Sequence, residues 1–62
     1  MTSFSAIADE IAVLEERVSD AVFDAVRAQL RDDDSARDVE RQLARVRRSL
    51  QKAEAILRGL PD

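Results

Sequence analysis

This chain of 62 residues has the length of one small domain. It contains neither His nor Cys, which excludes disulfide bonds, thiolate zinc sites and imidazole-based acid–base catalysis. Its net charge of −3 argues against a nucleic-acid-binding module, because such modules are usually basic.

The first predicted helix runs from about residue 5 to residue 31. Ser3 or Ser5 can cap its N-terminus by accepting a hydrogen bond from a backbone amide of the first turn. The only Gly and the only Pro of the chain are Gly59 and Pro61, so neither residue interrupts this helix. Projected at the helical repeat, its apolar side chains fill an arc of roughly 220°, about twice the width that one neighbouring helix covers.

Two side chains of this helix fit a simple bundle poorly. Glu15 lies near the middle of the apolar arc. We expect it either to reach past the edge of the core to Arg47, Arg48 or Lys52, or to form a buried polar pair that fixes register or partner choice. Phe23 lies at the edge of the arc and indicates a second helix contact.

A short acidic turn at residues 32–35 separates the two predicted helices. Its three consecutive Asp residues oppose the dipole at the end of one helix and favour the start of the next. Ser35 and Asp38 have the spacing of a capping box. Because the Gly and the distal Glu of a calcium loop are both missing, no metal site is predicted here.

The second predicted helix runs from about residue 36 to residue 58. Its apolar residues alternate spacings of three and four along the whole length, which is the heptad pattern of a coiled-coil seam. Gly59 is predicted to end the helix in the left-handed conformation, with Pro61 as the stop. The predicted seam residues are Ala36, Val39, Leu43, Val46, Leu50, Ala53, Leu57 and Leu60.

The predicted fold is all-α, a single antiparallel helical hairpin covering residues 1–62, because a linker of about four residues forces the helices side by side. A hairpin alone leaves part of each apolar stripe exposed, and chains this small without disulfides or metals usually oligomerise. The sequence therefore predicts an obligate oligomer, in its simplest form a homodimeric four-helix bundle. The predicted interface residues are Ile7, Ile11, Leu14, Val18, Val22, Phe23, Leu43, Val46, Leu50 and Leu57.

The predicted function is a non-enzymatic protein–protein interaction module, acting as a structural, adaptor or regulatory subunit. We predict no catalytic, cofactor-binding or metal-binding residues, because carboxylates on an exposed helix face have no cleft that separates their pKa values. The expected partners are a second copy of the chain and a larger protein. The sequence shows neither a membrane-spanning apolar run nor a signal peptide, which favours a cytoplasmic protein.

A basic stripe on the outer face of the second helix supports an alternative function. Its side chains lie within about 80° of one another over four turns and could follow a phosphate backbone, as in a small RNA- or DNA-binding regulatory protein. No aromatic residue lies among them to stack on bases. An acidic protein surface is an equally suitable partner. The stripe consists of Arg37, Arg41, Arg45, Arg48 and Lys52, and the predicted docking residues are Arg41, Arg45, Arg48 and Lys52.

Overall fold

The computed structural model describes residues 3–30 and 34–61, which form two helices packed against each other. Helix α1 is Phe4–Gln29 and helix α2 is Asp34–Arg58. The chain is elongated, and its Cα atoms extend over 49 × 14 × 12 Å. The prediction of an all-α helical hairpin is confirmed.

Contacts at the two ends of the hairpin show that the helices are antiparallel. Near the turn, the Gln29 side-chain amide donates a hydrogen bond to Glu40 Oε2 at 2.6 Å. At the opposite end, Arg58 donates to Asp9 Oδ1 at 3.1 Å. The start of α1 therefore lies beside the end of α2.

Helix α1 begins with a side-chain cap and ends two residues earlier than expected. Ser3 is the N-cap, with extended backbone angles, and its hydroxyl accepts a hydrogen bond from the Ala6 amide at 3.2 Å. At the other end, the Leu30 amide donates to the carbonyls of Val26 and Arg27. The predicted end at Arg31 and most of the predicted turn at residues 32–35 lie outside the described residues.

The predicted end of α2 at Arg58 agrees with the structure, but its predicted start at residue 36 and the predicted left-handed cap at Gly59 need correction. The helix begins at Asp34, so Ser35 lies inside the first turn and is not the N-cap. Acidic residues are themselves favourable near a helix N-terminus, and the helix extends back into the acidic run. Gly59 does not adopt the left-handed conformation. Instead the last turn tightens, with the Gly59 amide 3.2 Å from the Ile56 carbonyl and the Leu60 amide 3.2 Å from the Leu57 carbonyl.

We call the line along which the two helices face each other the seam. On α1, eight of the thirteen buried or half-buried side chains follow alternating spacings of four and three, and the other five flank this row. On α2 the same spacing recurs with one exposed position, Arg47. The seam consists of Phe4, Ala8, Ile11, Glu15, Val18, Val22, Ala25 and Gln29 of α1, and Ala36, Glu40, Leu43, Leu50, Glu54 and Leu57 of α2.

The seam buries little large apolar volume. Its only buried side chains are those of Ala8, Ala25 and Ala36, and no large side chain is fully buried among the described residues. Small side chains let two helices approach closely, but each contributes little apolar area. The core of the hairpin is therefore narrow.

The predicted heptad of α2 is correct in its periodicity but only partly covered by α1. Leu43, Leu50 and Leu57 are half-buried in the seam, whereas the alternate positions Val39 and Val46 are exposed. The polar contacts of Glu40 and Glu54 lie on the other flank of the leucine row. Val39 and Val46 therefore lie on the flank of the leucine row opposite these contacts, and each is about half exposed.

Candidate interaction surface

The ion pair between Asp9 and Arg58 identifies which helix flanks share a side of the hairpin. Asp9 lies on one flank of the α1 seam and Arg58 on one flank of the α2 seam, and their side chains meet at 3.1 Å. A flank of a seam repeats every seven residues along each helix. The flanks opposite Asp9 and Arg58 must therefore share the other side.

We call this other side the apolar side. All eight positions next to the seam on this side are apolar, and Glu10, Arg17 and Asp24 lie in the next row outward on α1. Leu14, Val39, Val46 and Leu60 are each 43–49 % exposed, and the remaining positions are half-buried. The apolar side consists of Ile7, Leu14, Ala21 and Ala28 of α1 and Val39, Val46, Ala53 and Leu60 of α2.

A shallow groove lies along α2 next to the apolar side. It has a volume of about 430 Å³ and is lined by Gln42, Arg45, Val46, Ser49 and Leu50. The groove contains one guanidinium and no carboxylate. Its apolar floor of Val46 and Leu50 resembles the hole into which a side chain of a neighbouring helix packs, and Arg45 is the one charged residue that lines it.

We call the side that carries the Asp9–Arg58 pair the polar side. On α2 its row next to the seam is Arg37, Ala44, Gln51 and Arg58; on α1 the row next to the seam is Ser5, Ala12, Ser19 and Val26, and Asp9, Glu16, Phe23 and Leu30 form the row outside it. Near the turn it has a short apolar patch of Phe23, Val26 and Leu30, all of them exposed. The Arg27 guanidinium lies 5.0 Å from the centre of the Phe23 ring, a cation–π contact at the surface.

A carboxyl pair crosses the seam beside the polar side. A hydrogen bond to Glu54 raises the pKa of Glu15 above its ordinary value, and burial and the Glu54 charge act in the same direction. The pKa of Glu54 is lowered by its hydrogen bonds with Glu15 and Arg58. The two carboxyl groups therefore share a proton most favourably when Glu15 is protonated and Glu54 is charged.

The second oxygen of Glu15 has no partner. Glu15 Oε2 is buried and makes no hydrogen bond to the described residues. Besides its hydrogen bond with Glu15, Glu54 accepts a hydrogen bond from Arg58 Nε at 2.7 Å. Both expectations for Glu15 are met in part: the charge of Arg47 acts on it and lowers its pKa, while the half-buried carboxyl pairs across the seam with Glu54, a partner that was not predicted.

The predicted interface residues fall into three groups. Six of them lie in the seam within one hairpin, three lie on the apolar side and Phe23 lies on the polar side. The seam group comprises Ile11, Val18, Val22, Leu43, Leu50 and Leu57, and the apolar-side group comprises Ile7, Leu14 and Val46. The structure therefore separates residues that join the two helices from residues that remain available to a partner.

The basic stripe of α2 is fully on the outside. All five side chains are exposed, and none of them forms a salt bridge with a carboxylate of the described residues. Arg45 donates a weak hydrogen bond to Gln42 Oε1 at 3.3 Å. Arg41, Arg45, Arg48 and Lys52, the predicted docking residues, thus form one continuous cationic surface.

Within the described part of the chain, no His, Cys, Asp and Glu side chains are grouped as a metal site would require. Neither described helix has an apolar segment long enough to cross a membrane. Comparisons with protein-family models, curated proteins and solved structures find no match to this chain. Its function is therefore inferred from its residues and their geometry.

Proposed function

We propose that this chain is a non-enzymatic protein–protein interaction module that reaches its stable form only as an oligomer. The simplest such form is a homodimeric four-helix bundle. In this role the protein is a structural, adaptor or regulatory subunit that acts through its helix faces. The observation that carries the proposal is the large surface that the hairpin leaves exposed.

The size of that surface supports the proposal. The accessible surface of the hairpin is 4916 Å². A globular monomer of this mass is expected to expose about 4,000 Å². The excess, about 900 Å², is close to the ~800 Å² that one partner loses in a standard protein–protein interface.

The shape of the hairpin supports the same conclusion. Its Cα radius of gyration is 14.5 Å, whereas a compact domain of this length has about 10.5 Å. Two helices that meet only along a narrow alanine core cannot bury the apolar flank of either helix. Packing against a second pair of helices leaves the length of the hairpin unchanged but covers its exposed apolar flank.

Light scattering coupled to size-exclusion chromatography tests the proposal. We expect a mass that is an integer multiple, at least twofold, of the 6.9 kDa chain. Circular dichroism of the same sample should show a helical protein with a cooperative thermal transition. A cooperatively folded, thermally stable species of 6.9 kDa would contradict the proposal.

A second candidate function rests on the basic stripe, whose exposed cations lack carboxylate partners among the described residues. Four or five cations in a row suit an RNA or DNA backbone. Binding of labelled RNA and duplex DNA should then weaken steeply with salt, and the double variant Arg41→Glu, Arg45→Glu should abolish it. No binding at low salt, or binding that salt does not weaken, would eliminate this candidate.

A further inference from the structure

We infer that a second copy of this chain docks on the apolar side of the hairpin and leaves the polar side exposed. The inference rests on the proposed function and specifies which surface the self-assembly uses. The occupant is another copy because the exposed excess of about 900 Å² matches one half of a standard interface.

The two sides of the hairpin differ in charge, and this difference favours the apolar side as the interface. The eight positions next to the seam on the apolar side carry no charge, so their burial removes no hydrated ion from water. The corresponding positions on the polar side include Arg37, which forms no salt bridge with a described residue, and Arg58, whose ion pair with Asp9 lies at the surface. Burial of charged groups without close partners opposes association.

The extent of the two apolar surfaces also differs. Between Ile7 and Ala28 the apolar side runs about 32 Å along α1, and it is about 20 Å wide across the two helices. The whole face of the hairpin on this side, including its charged outer rows, is therefore roughly 600 Å² in projection, which approaches the area required from one partner. The patch of Phe23, Val26 and Leu30 covers only about two helical turns, or ~11 Å.

The pattern of side-chain sizes suits helix packing. On α1 the large Ile7 and Leu14 are followed by the small Ala21 and Ala28, and on α2 Ala53 lies between Val46 and Leu60, so that the surface has both projections and shallow holes. The groove beside Val46 is one such hole. A two-fold axis can therefore place the projections of one copy into the holes of the other.

The consequence is a dimer with two distinct surfaces. The patch at Phe23 and the basic stripe remain on the outside when the apolar side is covered, except that Arg45 lies at the edge of the interface because it lines the groove beside Val46. Any larger partner would then meet these outer surfaces on both copies at once, related by the two-fold axis.

Two matched valine substitutions test which side is used. Val46 on the apolar side is 46 % exposed and Val26 beside the polar side is 39 % exposed, and both lie within helices. We expect Val46→Glu to dissociate the oligomer, and Val26→Glu to keep the wild-type mass. A second pair of equal exposure, 49 % each, is Val39→Glu on the apolar side and Val13→Glu on the outer face of α1.

A milder probe keeps the test valid if Val46→Glu fails to fold. The chain has no Cys, so Val46→Cys and Val26→Cys each introduce a single thiol of similar volume. In the folded oligomer, Cys at position 46 should react with a bulky maleimide at least ~10-fold more slowly than Cys at position 26, because it reacts only when the interface opens.

The outcomes separate the two claims. Equal labelling rates in the oligomer, or dissociation by Val26→Glu and not by Val46→Glu, would overturn the assignment of the apolar side and leave the proposed self-assembly standing. A folded, monomeric wild-type protein would overturn both. Dissociation by Val46→Glu with slow labelling at position 46 would support the inference.

Discussion

Arg58 donates a hydrogen bond to Asp9 Oδ1 at 3.1 Å and thereby fixes the order of the four helix flanks around the hairpin. Because both residues belong to charged flanks, the uncharged flanks must lie together on the opposite side. The same guanidinium also binds Glu54 at 2.7 Å, so one residue connects the surface ion pair to the carboxyl pair in the seam.

The first prediction concerns the carboxyl pair and pH. The raised pKa of Glu15 means that its contribution to stability is fully present below the unfolded value of 4.5 and is lost as the pH rises through the folded value. The lowered pKa of Glu54 has the opposite effect, since its contribution is present above 4.5 and lost as the pH falls through its folded value. Within the window just above pH 4.5, ionisation of Glu15 therefore destabilises the hairpin.

Glu15→Gln should remove this loss of stability, because the uncharged Gln amide donates a hydrogen bond to Glu54 at every pH. We expect a higher melting temperature than wild type at pH 7 and a flatter dependence on pH between 4.5 and 7. Glu16→Gln removes the same charge from an exposed position of the same helix and should retain the wild-type profile. A variant at position 15 that melts below wild type at neutral pH would refute the shared-proton description.

The second prediction concerns the close approach of the helices at Ala8, which is fully buried. Ala8→Leu inserts a large side chain where the helices touch, and overpacking of this kind costs about 1–3 kcal/mol of the free energy of unfolding. Ala6→Leu places the same side chain on an exposed position two residues away and should be nearly neutral. Urea denaturation of the three proteins measures the difference, and equal midpoints would show that the seam does not run through Ala8.

The third prediction concerns Leu50, the half-buried leucine near the middle of the α2 seam. Leu50→Ala should lower the free energy of unfolding by about 2 kcal/mol, the lower end for a core leucine, because the side chain is only partly covered. Val13→Ala, on the outer face of α1, is the control and should stay within about 0.5 kcal/mol of wild type. A loss at Leu50 no larger than that at Val13 would place Leu50 outside the core.

The two helices could be predicted well because helical periodicity depends only on residue spacing along one helix. Which flank of the α2 leucine row faces α1 could not be predicted in the same way. Leu43 and Leu50 have apolar neighbours on one flank, at Val39 and Val46, and apolarity alone favours an a/d seam. Contacts between the helices, such as that of Gln29 with Glu40, select the other flank, and no pattern within one helix records them.

Glu54 was missed for a related reason. In sequence it is one charged residue of a strongly charged helix, and its spacing from Arg58 favours an ordinary pair within the helix. Its position opposite Glu15 depends on the register between the helices, which is fixed at the two ends of the hairpin. Glu15, by contrast, could be identified from sequence because it interrupts an otherwise apolar arc.

The concentration dependence of thermal unfolding tests the central claim most directly, namely that the hairpin is completed by association. If folding and dimerisation are coupled, the melting temperature rises with protein concentration. A hundredfold increase adds about 2.8 kcal/mol per dimer, which corresponds to a rise on the order of 10 °C for two chains of this length. We expect that rise, and a cooperative transition whose midpoint does not move with concentration would show that the hairpin folds without association.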